Sequence, residues 1–475
     1  MSSINTVQSL KTEKTFVSPE YIRNRFSKTM SDMYKNEVPL YGELLDLVQE
    51  INNNVISESK EIKEQLERTG EITRLNMERH GAIRLGKPYE LFTMRRLFKV
   101  MGMFPLGYYD LASAGVPVHS TAFRAIENTA LNQAPFRIFT SLLRLDLIDD
   151  DKLRTNIETI LEDRQIFTKK ALELIDKSEK ENGLNKEDAD TFVKEALETF
   201  RWHETATVDH EMYEALVGQH RLIADVVAFK GPHINHLTPR TLDIDKVQSS
   251  MEARNITPKD IIEGPPTRKC PILLRQTSFK ALTEKVTFKG KTGTEKTGEH
   301  KARFGEIEQR GVALTKKGQD LYNELLGKTR KTIGGSPNAE NALKYNQLLK
   351  ENFKKFPDTY QELQSEELAY FHYFTTDKIK SLSKDKTHTK SDVNQLLKDG
   401  YLTTEPMVYE DFLPVSAAGI FASNLGTDDA EREYEETSNQ LLFEKHLGES
   451  VFKLTTWYEN TQNKTIEKCL AQINA

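Results

Sequence analysis

Cysteine is nearly absent from this 475-residue chain: its two thiols, Cys270 and Cys469, stand far apart. With so few, a disulfide framework and a thiolate zinc site are both improbable. Long apolar runs are missing too. A membrane-crossing helix needs about 20 consecutive apolar residues, and the sequence holds no such run. The opening residues, MSSINTVQSLKTEKTF, lack the apolar stretch of a secretory signal and the arginines of a transit peptide. The expected address is therefore the cytoplasm. Positive charge is not in excess: Lys+Arg number 66 against 72 Asp+Glu, a net −6, so no basic surplus recruits nucleic acid. What remains is an ordinary soluble composition, 37% hydrophobic and 29% charged. The length allows a large core and, as a soft prior, about two or three domains.

Patterning along the chain alternates between helical and strand periods. Val38, Tyr41, Leu44, Leu45, Val48 and Ile51 follow the i, i+3, i+4, i+7 spacing of a helix within 37–70. ERHGAIRL (78–85) fits a strand or turn, and 88–104 returns to the helical period. GYYDL (107–111) and VPVHSTAFRAI (116–126) have strand composition. Residues 136–200 are rich in Leu, Glu and Lys and predict a helical insertion. Past it the order repeats in outline: ADVVAF (224–229) reads as a strand, 242–254 as a helix, and 271–279, 284–290 and 301–315 as strands. KGKTGTEKTGEHK (289–301) predicts a hairpin loop, and 340–375 a helical stretch.

Most of the 11 histidines have unremarked surroundings. His203, His210 and His220 fit helical segments, and His300, His372, His388 and His446 lie in polar stretches that predict exposure. His119 fits either a cavity wall or a cross-strand bond. Three places differ. In ERHGAIR, side chains of His80, Ala82 and Arg84 share one face if the segment is a strand; a surface pair beside Glu78 is the plainer reading. In GPHINHLTP, Pro232 and Pro239 argue against a helix, so His233 and His236 face opposite sides and only one can serve a given metal. In FGEIEQRG, residues Phe304, Glu306, Glu308 and Arg310 share a strand face. Two acids there are either solvated or compensated by a cation, because an unpaired buried carboxylate is costly. Two histidines and one carboxylate make the facial triad of non-haem Fe(II) oxygenases, although the same donors hold zinc or manganese.

The stretches ERHGAIRLG, MGMFPLGYYDLASAGVPVHSTAFRAI, FKGPHINHLTPRTLDID, IEGPP, LLRQTSFKAL, ARFGEIEQRGVALT and YEDFLPVSAAGIF resemble, in order, the 2-oxoadipate dioxygenase/decarboxylase family. That family is a branch of the vicinal oxygen chelate superfamily. The resemblance runs from about residue 20 to about residue 426 and fades in the C-terminal tail. It implies an α+β fold: paired βαβββ modules forming an incomplete barrel around a metal, with a large helical insertion at about 136–200. A polar lead-in (1–20), a catalytic domain (21–426) and a helical tail (427–475) complete the expected layout. It further implies one Fe(II) held by His80, His236 and a glutamate of FGEIEQRG. Glu306 is preferred, because FGEIEQR is similar to the FLEVIQR pattern of 4-hydroxyphenylpyruvate dioxygenases; Glu308 is the alternative. By the same resemblance Arg84 holds a substrate carboxylate, Val415 and Ser416 line the substrate pocket, and His233 lies behind the metal ligands. The implied partners are a small 2-oxo acid and O₂, with no nucleic acid and no membrane. The implied reaction converts 2-oxoadipate and O₂ to 2-hydroxyglutarate and CO₂, in lysine catabolism. Two rival readings share the scaffold: a zinc or manganese lyase or isomerase of glyoxalase type, and a metabolite-binding protein without turnover.

Overall fold

The structure, a computed structural model, describes residues 15–112, 115–290, 295–334, 337, 340–382, 386–412 and 436–475. Nine of its strands concern the site: β1 (Arg79–Leu85), β2 (Phe104–Asp110), β3 (Val118–Arg124), β4 (Phe136–Leu143), β5 (His236–Pro239), β6 (Leu274–Ser278), β7 (Glu284–Lys289), β8 (Glu295–His300) and β9 (Phe304–Arg310). Seven of them form one curled sheet in the order β2-β3-β4-β1-β5-β9-β6, while β7 and β8 pair separately as a hairpin.

The expected paired modules are present. In the first, β1 leads into the Pro88–Val100 helix, then β2, β3 and β4, and β4 returns parallel beside β1. In the second, β5 leads into the Ile244–Met251 helix, and β9 returns parallel beside β5. Its second strand is reduced to two isolated bridges on the β6 side, Pro258 with Phe279 and Glu263 with Gln276. The β7–β8 hairpin is inserted between its last two strands. The modules join where β1 and β5 pair antiparallel.

Alternation along the strands sends side chains to two different cores. Ile83, Leu85, Ile138, Leu142, Leu237 and Ile307 pack outward against the Pro19–Glu37, Pro39–Glu58 and Pro88–Val100 helices. Ala82, Val118, Ala122 and Phe139 point to the concave side, under the Arg221–Val227 helix and Phe412. The Pro19–Glu37 helix starts with Ser18, whose side chain accepts from the Tyr21 N–H, and a proline at its first position, both favoured at helix starts. Farther along it, the Tyr34 hydroxyl lies 3.0 Å from the Asn235 carbonyl and 2.9 Å from that of Phe304. It thereby ties the starts of β5 and β9 together from behind. Gly81 lets β1 approach closely: a methyl there would meet Ile234 Cδ1 at 2.7 Å and the His236 carbonyl oxygen at 3.2 Å.

Outside the β7–β8 hairpin, three elements differ from the sequence expectation. Residues 136–143, read as the start of a helical insertion, are strand β4, buried along its whole length. A strand covered on both faces has no alternation to reveal it, and the helices follow only from Asp151. ADVVAF, read as a strand, lies largely in the Arg221–Val227 helix, whose N–H of Leu222 donates to the His220 ring; a short apolar run fits either state by period alone. The 340–375 stretch, read as helical, ends in a strand at Phe371–Thr375.

Candidate metal centre

His80 on β1, His236 on β5 and Glu306 on β9 come from three neighbouring strands and converge on the concave face. Their nitrogen and oxygen donors all lie within 4.8 Å of one another. His80 Nε2 is 3.0 Å from Glu306 Oε1, and His236 Nε2 is 3.9 Å from the same oxygen. The two imidazoles stand nearly perpendicular at 84°, their centroids 5.6 Å apart. Strand register explains the convergence. Gly81 pairs with Leu237, and a local twofold through that pair relates His80 to His236 and Arg84 to Arg240. In the same relation Glu306 corresponds to Phe139, because His80 pairs with Arg137 where His236 pairs with Phe304. The position symmetric to the carboxylate is thus a phenyl ring, and the set stops at three donors.

Glu306 is buried and accepts, on Oε1, from Thr238 Oγ1 at 3.0 Å and Gln276 Nε2 at 2.9 Å. Burial raises its pKa, but His236 and His80 outweigh that, and the net shift is downward. Burial pushes the His236 imidazole down to about 4, offset in part by Glu306 and reinforced by His80 and Arg84. It is neutral near pH 7, the form that ligates a metal. His80 behaves differently. Burial lowers its pKa, yet Glu308 and Glu306 outweigh it and the net shift is upward. Its Nδ1 lies 2.9 Å from Glu308 Oε2.

That contact separates the two glutamates. Glu306 faces the Nε2 side of His80, where both histidines converge; Glu308 sits behind, on the Nδ1 side. A carboxylate behind a ligating imidazole fixes its tautomer and orientation. Glu308 is itself gripped by Arg310, at 2.8 and 2.9 Å. Burial works against its ionised form, but Arg310 and His80 outweigh it and hold it down at about 2. The donor set fits a divalent cation: Nε2 of His80 would exchange a proton for the metal while Nδ1–H stays on Glu308. Glu308→Gln is accordingly expected to weaken metal affinity by about 10–100-fold, measured by Fe(II) titration under argon. Unchanged affinity would show that Glu308 only balances Arg310.

Aromatic rings wall this region. Phe412 lies 4.7 Å from the His80 ring, Phe304 lies 4.9 Å from His236, and Phe139 packs at a tilt against Phe412 at 5.1 Å, centroid to centroid. Arg84 shares the concave face of β1 with His80 and donates through Nη1 to Asp225 at 2.5 Å. Val415 and Ser416 lie outside the described residues. His233 is turned away from Glu306 and sits 3.1 Å from Asp225. His300, read as exposed, is buried and 2.9 Å from the same carboxylate. The polar run around it conceals a strand, β8, whose last side chain turns inward. Asp225 was missed for the same reason as its helix.

The sequence profile of the 2-oxoadipate dioxygenase/decarboxylase family (HGLS) matches residues 26–424. The chain belongs to that family. A 2-oxoadipate dioxygenase/decarboxylase of Pseudomonas putida is 57% identical, over 97% of this chain and 98% of its own. One from Escherichia coli is 49% identical, over 95% and 98%. The crystal structure of the Pseudomonas putida hydroxyglutarate synthase in complex with 2-oxoadipate matches with a TM-score of 0.88 at 53% identity, covering 97% of this chain and 99% of that one. In this family member all three converging donors, and Arg84, Val415 and Ser416, fall inside the matched range.

Proposed function

We propose that this family member is an Fe(II)-dependent dioxygenase and decarboxylase that converts 2-oxoadipate and O₂ to 2-hydroxyglutarate and CO₂. The observation that carries the proposal is the convergence of His80, His236 and Glu306 beside a ring, Phe139, where symmetry would put a further donor. Three protein donors leave positions for a bidentate 2-oxo acid and for O₂. When bound, Fe(II) would supply the electron-transfer chemistry with O₂ that decarboxylates the 2-oxo acid, turning the keto carbon into a carboxylate, and hydroxylates the carbon next to it. The chain's own residues do the rest. Neutral His236 and ionised Glu306 together carry one negative charge, so a divalent cation keeps a net positive charge toward an anionic substrate. Arg84 would bind and orient a carboxylate, as guanidinium does with charge and shape together. Phe139, Phe304 and Phe412 exclude water from the reacting face. Val415 and Ser416 are assigned to the substrate pocket on the family resemblance. No helix among the described residues is long and apolar enough to cross a membrane; we place the reaction in the cytoplasm, in lysine catabolism.

Given 2-oxoadipate, the Fe(II)-reconstituted chain should consume O₂ and release CO₂ and 2-hydroxyglutarate in equal molar amounts. An oxygen electrode with product chromatography measures all three. No O₂ uptake with iron demonstrably bound would overturn the proposal. Turnover with Zn(II) under argon would move the protein to the lyase class, where the same donors act as a Lewis-acid site.

A further inference from the structure

Asp225 is the hub of a second buried cluster, on the same side of the sheet as Arg84. Its Oδ2 accepts from Arg84 Nη1 at 2.5 Å and from Asn235 Nδ2 at 3.2 Å. Its Oδ1 meets His300 Nε2 at 2.9 Å and His233 Nε2 at 3.1 Å. Arg84, Asn235 and His300 thus hydrogen-bond the carboxylate, and His233 Nε2, which also lies 3.2 Å from Asn235 Nδ2, packs against its Oδ1. These partners come from β1, the β7–β8 hairpin, and two positions in the segment leading into β5. His300 is anchored in turn by the Tyr213 hydroxyl, 2.9 Å from Nδ1. His233 is boxed in by Trp202 and Phe229, with centroids 4.7 and 5.8 Å away. Asp225, His233 and His300 are all at least 95% buried.

The cluster has the composition of a metal site, and its donor atoms are close enough for one. Charge decides against that reading. Arg84 already places a full positive charge on Asp225, and a cation bound there would have to sit against the guanidinium. Both histidines have hydrogen-bond partners as they stand. Without Asp225, conversely, Arg84 would be a buried charge lacking its counter-ion, which is costly.

Resting on the reading that Arg84 grips a substrate carboxylate, we propose that Asp225 is its positioning residue. Asp225 holds one arm of the guanidinium, and His233, His300 and Asn235 hold Asp225, so Arg84 meets the substrate already oriented. Arg84 stands two residues along β1 from Ala82, the residue opposite His236, or roughly 6.6 Å at the usual strand rise. A few degrees of freedom at that guanidinium therefore translate into misplacement of a substrate held at the metal. Preorganisation of this kind acts on affinity more than on the chemical step.

The test is a double-mutant cycle on the full, Fe(II)-loaded chain. It reads the Kd for 2-oxoadipate by calorimetry under argon, and KM and kcat in air. Asp225→Asn and Arg84→Ala should each raise Kd by at least about tenfold, a mid-range coupling for contacting residues, with iron content unchanged and kcat for Asp225→Asn within about threefold of the parent. The double variant should bind no more weakly than Arg84→Ala alone, because Asp225 has nothing left to position. Additive losses in the double variant would overturn the proposal. An unchanged Kd for Asp225→Asn beside a raised one for Arg84→Ala would overturn it as well. An unchanged Kd for Arg84→Ala would instead overturn the underlying reading of Arg84. If Asp225→Asn does not fold, His300→Gln keeps the charge pair and should still raise Kd, by about threefold; no rise would count against the proposal. One metal equivalent is expected in every variant. A second equivalent in the parent, lost in His300→Gln, would reassign the cluster as a metal site.

Discussion

His236→Ala should abolish iron retention and turnover together, whereas His233→Ala should retain one equivalent of iron. The two side chains are three residues apart, and the backbone sends them to different clusters. His236 Nε2 faces Glu306 at 3.9 Å, while His233 Nε2 faces Asp225 at 3.1 Å. Losing one of three protein donors removes a third of the anchoring and leaves Glu306 and His80 to bond each other. Losing His233 removes one of the four polar neighbours of Asp225 and opens a small cavity beside Trp202. Its effect should therefore appear in KM for 2-oxoadipate, with iron content unchanged. Metal analysis of dialysed protein and steady-state kinetics distinguish the two. Iron loss in His233→Ala with retention in His236→Ala would reverse the ligand assignment. Normal iron in both would move the metal away from this face.

Much of this was legible because strand periodicity is simple. The alternation in RHGAIRL places His80 and Arg84 on one face, and the prolines around PHINH forbid the helix that would have brought both histidines to one metal. The preference for Glu306 over Glu308 rested on the similarity to FLEVIQR and not on periodicity, because both share a face of β9. In the fold Glu306 meets Nε2 of His80, while Glu308 meets its Nδ1 and is claimed by Arg310. Asp225 and His300 were illegible for a different reason. Asp225 lies in an apolar run that reads as a strand and folds as a helix, His300 in a polar run that reads as a hairpin loop and ends in strand β8, and both are buried because those segments fold over the concave face. The arginines around Glu78 were passed over because charge usually signals solvent. Here it does not.

Those arginines carry the largest expected effect on stability. Arg137→Ala should cost about 3–5 kcal/mol, the usual result of removing one partner from a buried ion pair. Arg137 is fully buried and donates to Glu78 at 2.9 Å and to Glu410. Glu78 also meets Arg240 and Arg310, each at 3.4 Å, and Arg74 at 3.7 Å; Arg74 reaches Glu410 at 2.6 Å. Removing Arg137 leaves two carboxylates in a dry interior with less countercharge. A loss of that size is a large fraction of the 5–15 kcal/mol that typically holds a protein folded. Acid should narrow the difference. Burial opposes ionisation of Glu410, but Arg74 and Arg137 outweigh it and hold its pKa at about 2, against about 4.3 in an unfolded chain. A carboxyl depressed in this way contributes stability above its unfolded pKa and loses it as pH falls toward the folded value. The parent should therefore weaken more steeply than Arg137→Ala between about pH 4.3 and pH 2. Urea unfolding at neutral pH and at about pH 3 reads both slopes. An equal deficit at the two pH values would mean that Arg137 acts through its volume rather than its charge. Because Arg310 reaches both Glu78 and the glutamate behind His80, the same network underlies the candidate metal centre. Arg137→Lys keeps the charge but loses the fork, and should recover part of the stability and all of the iron.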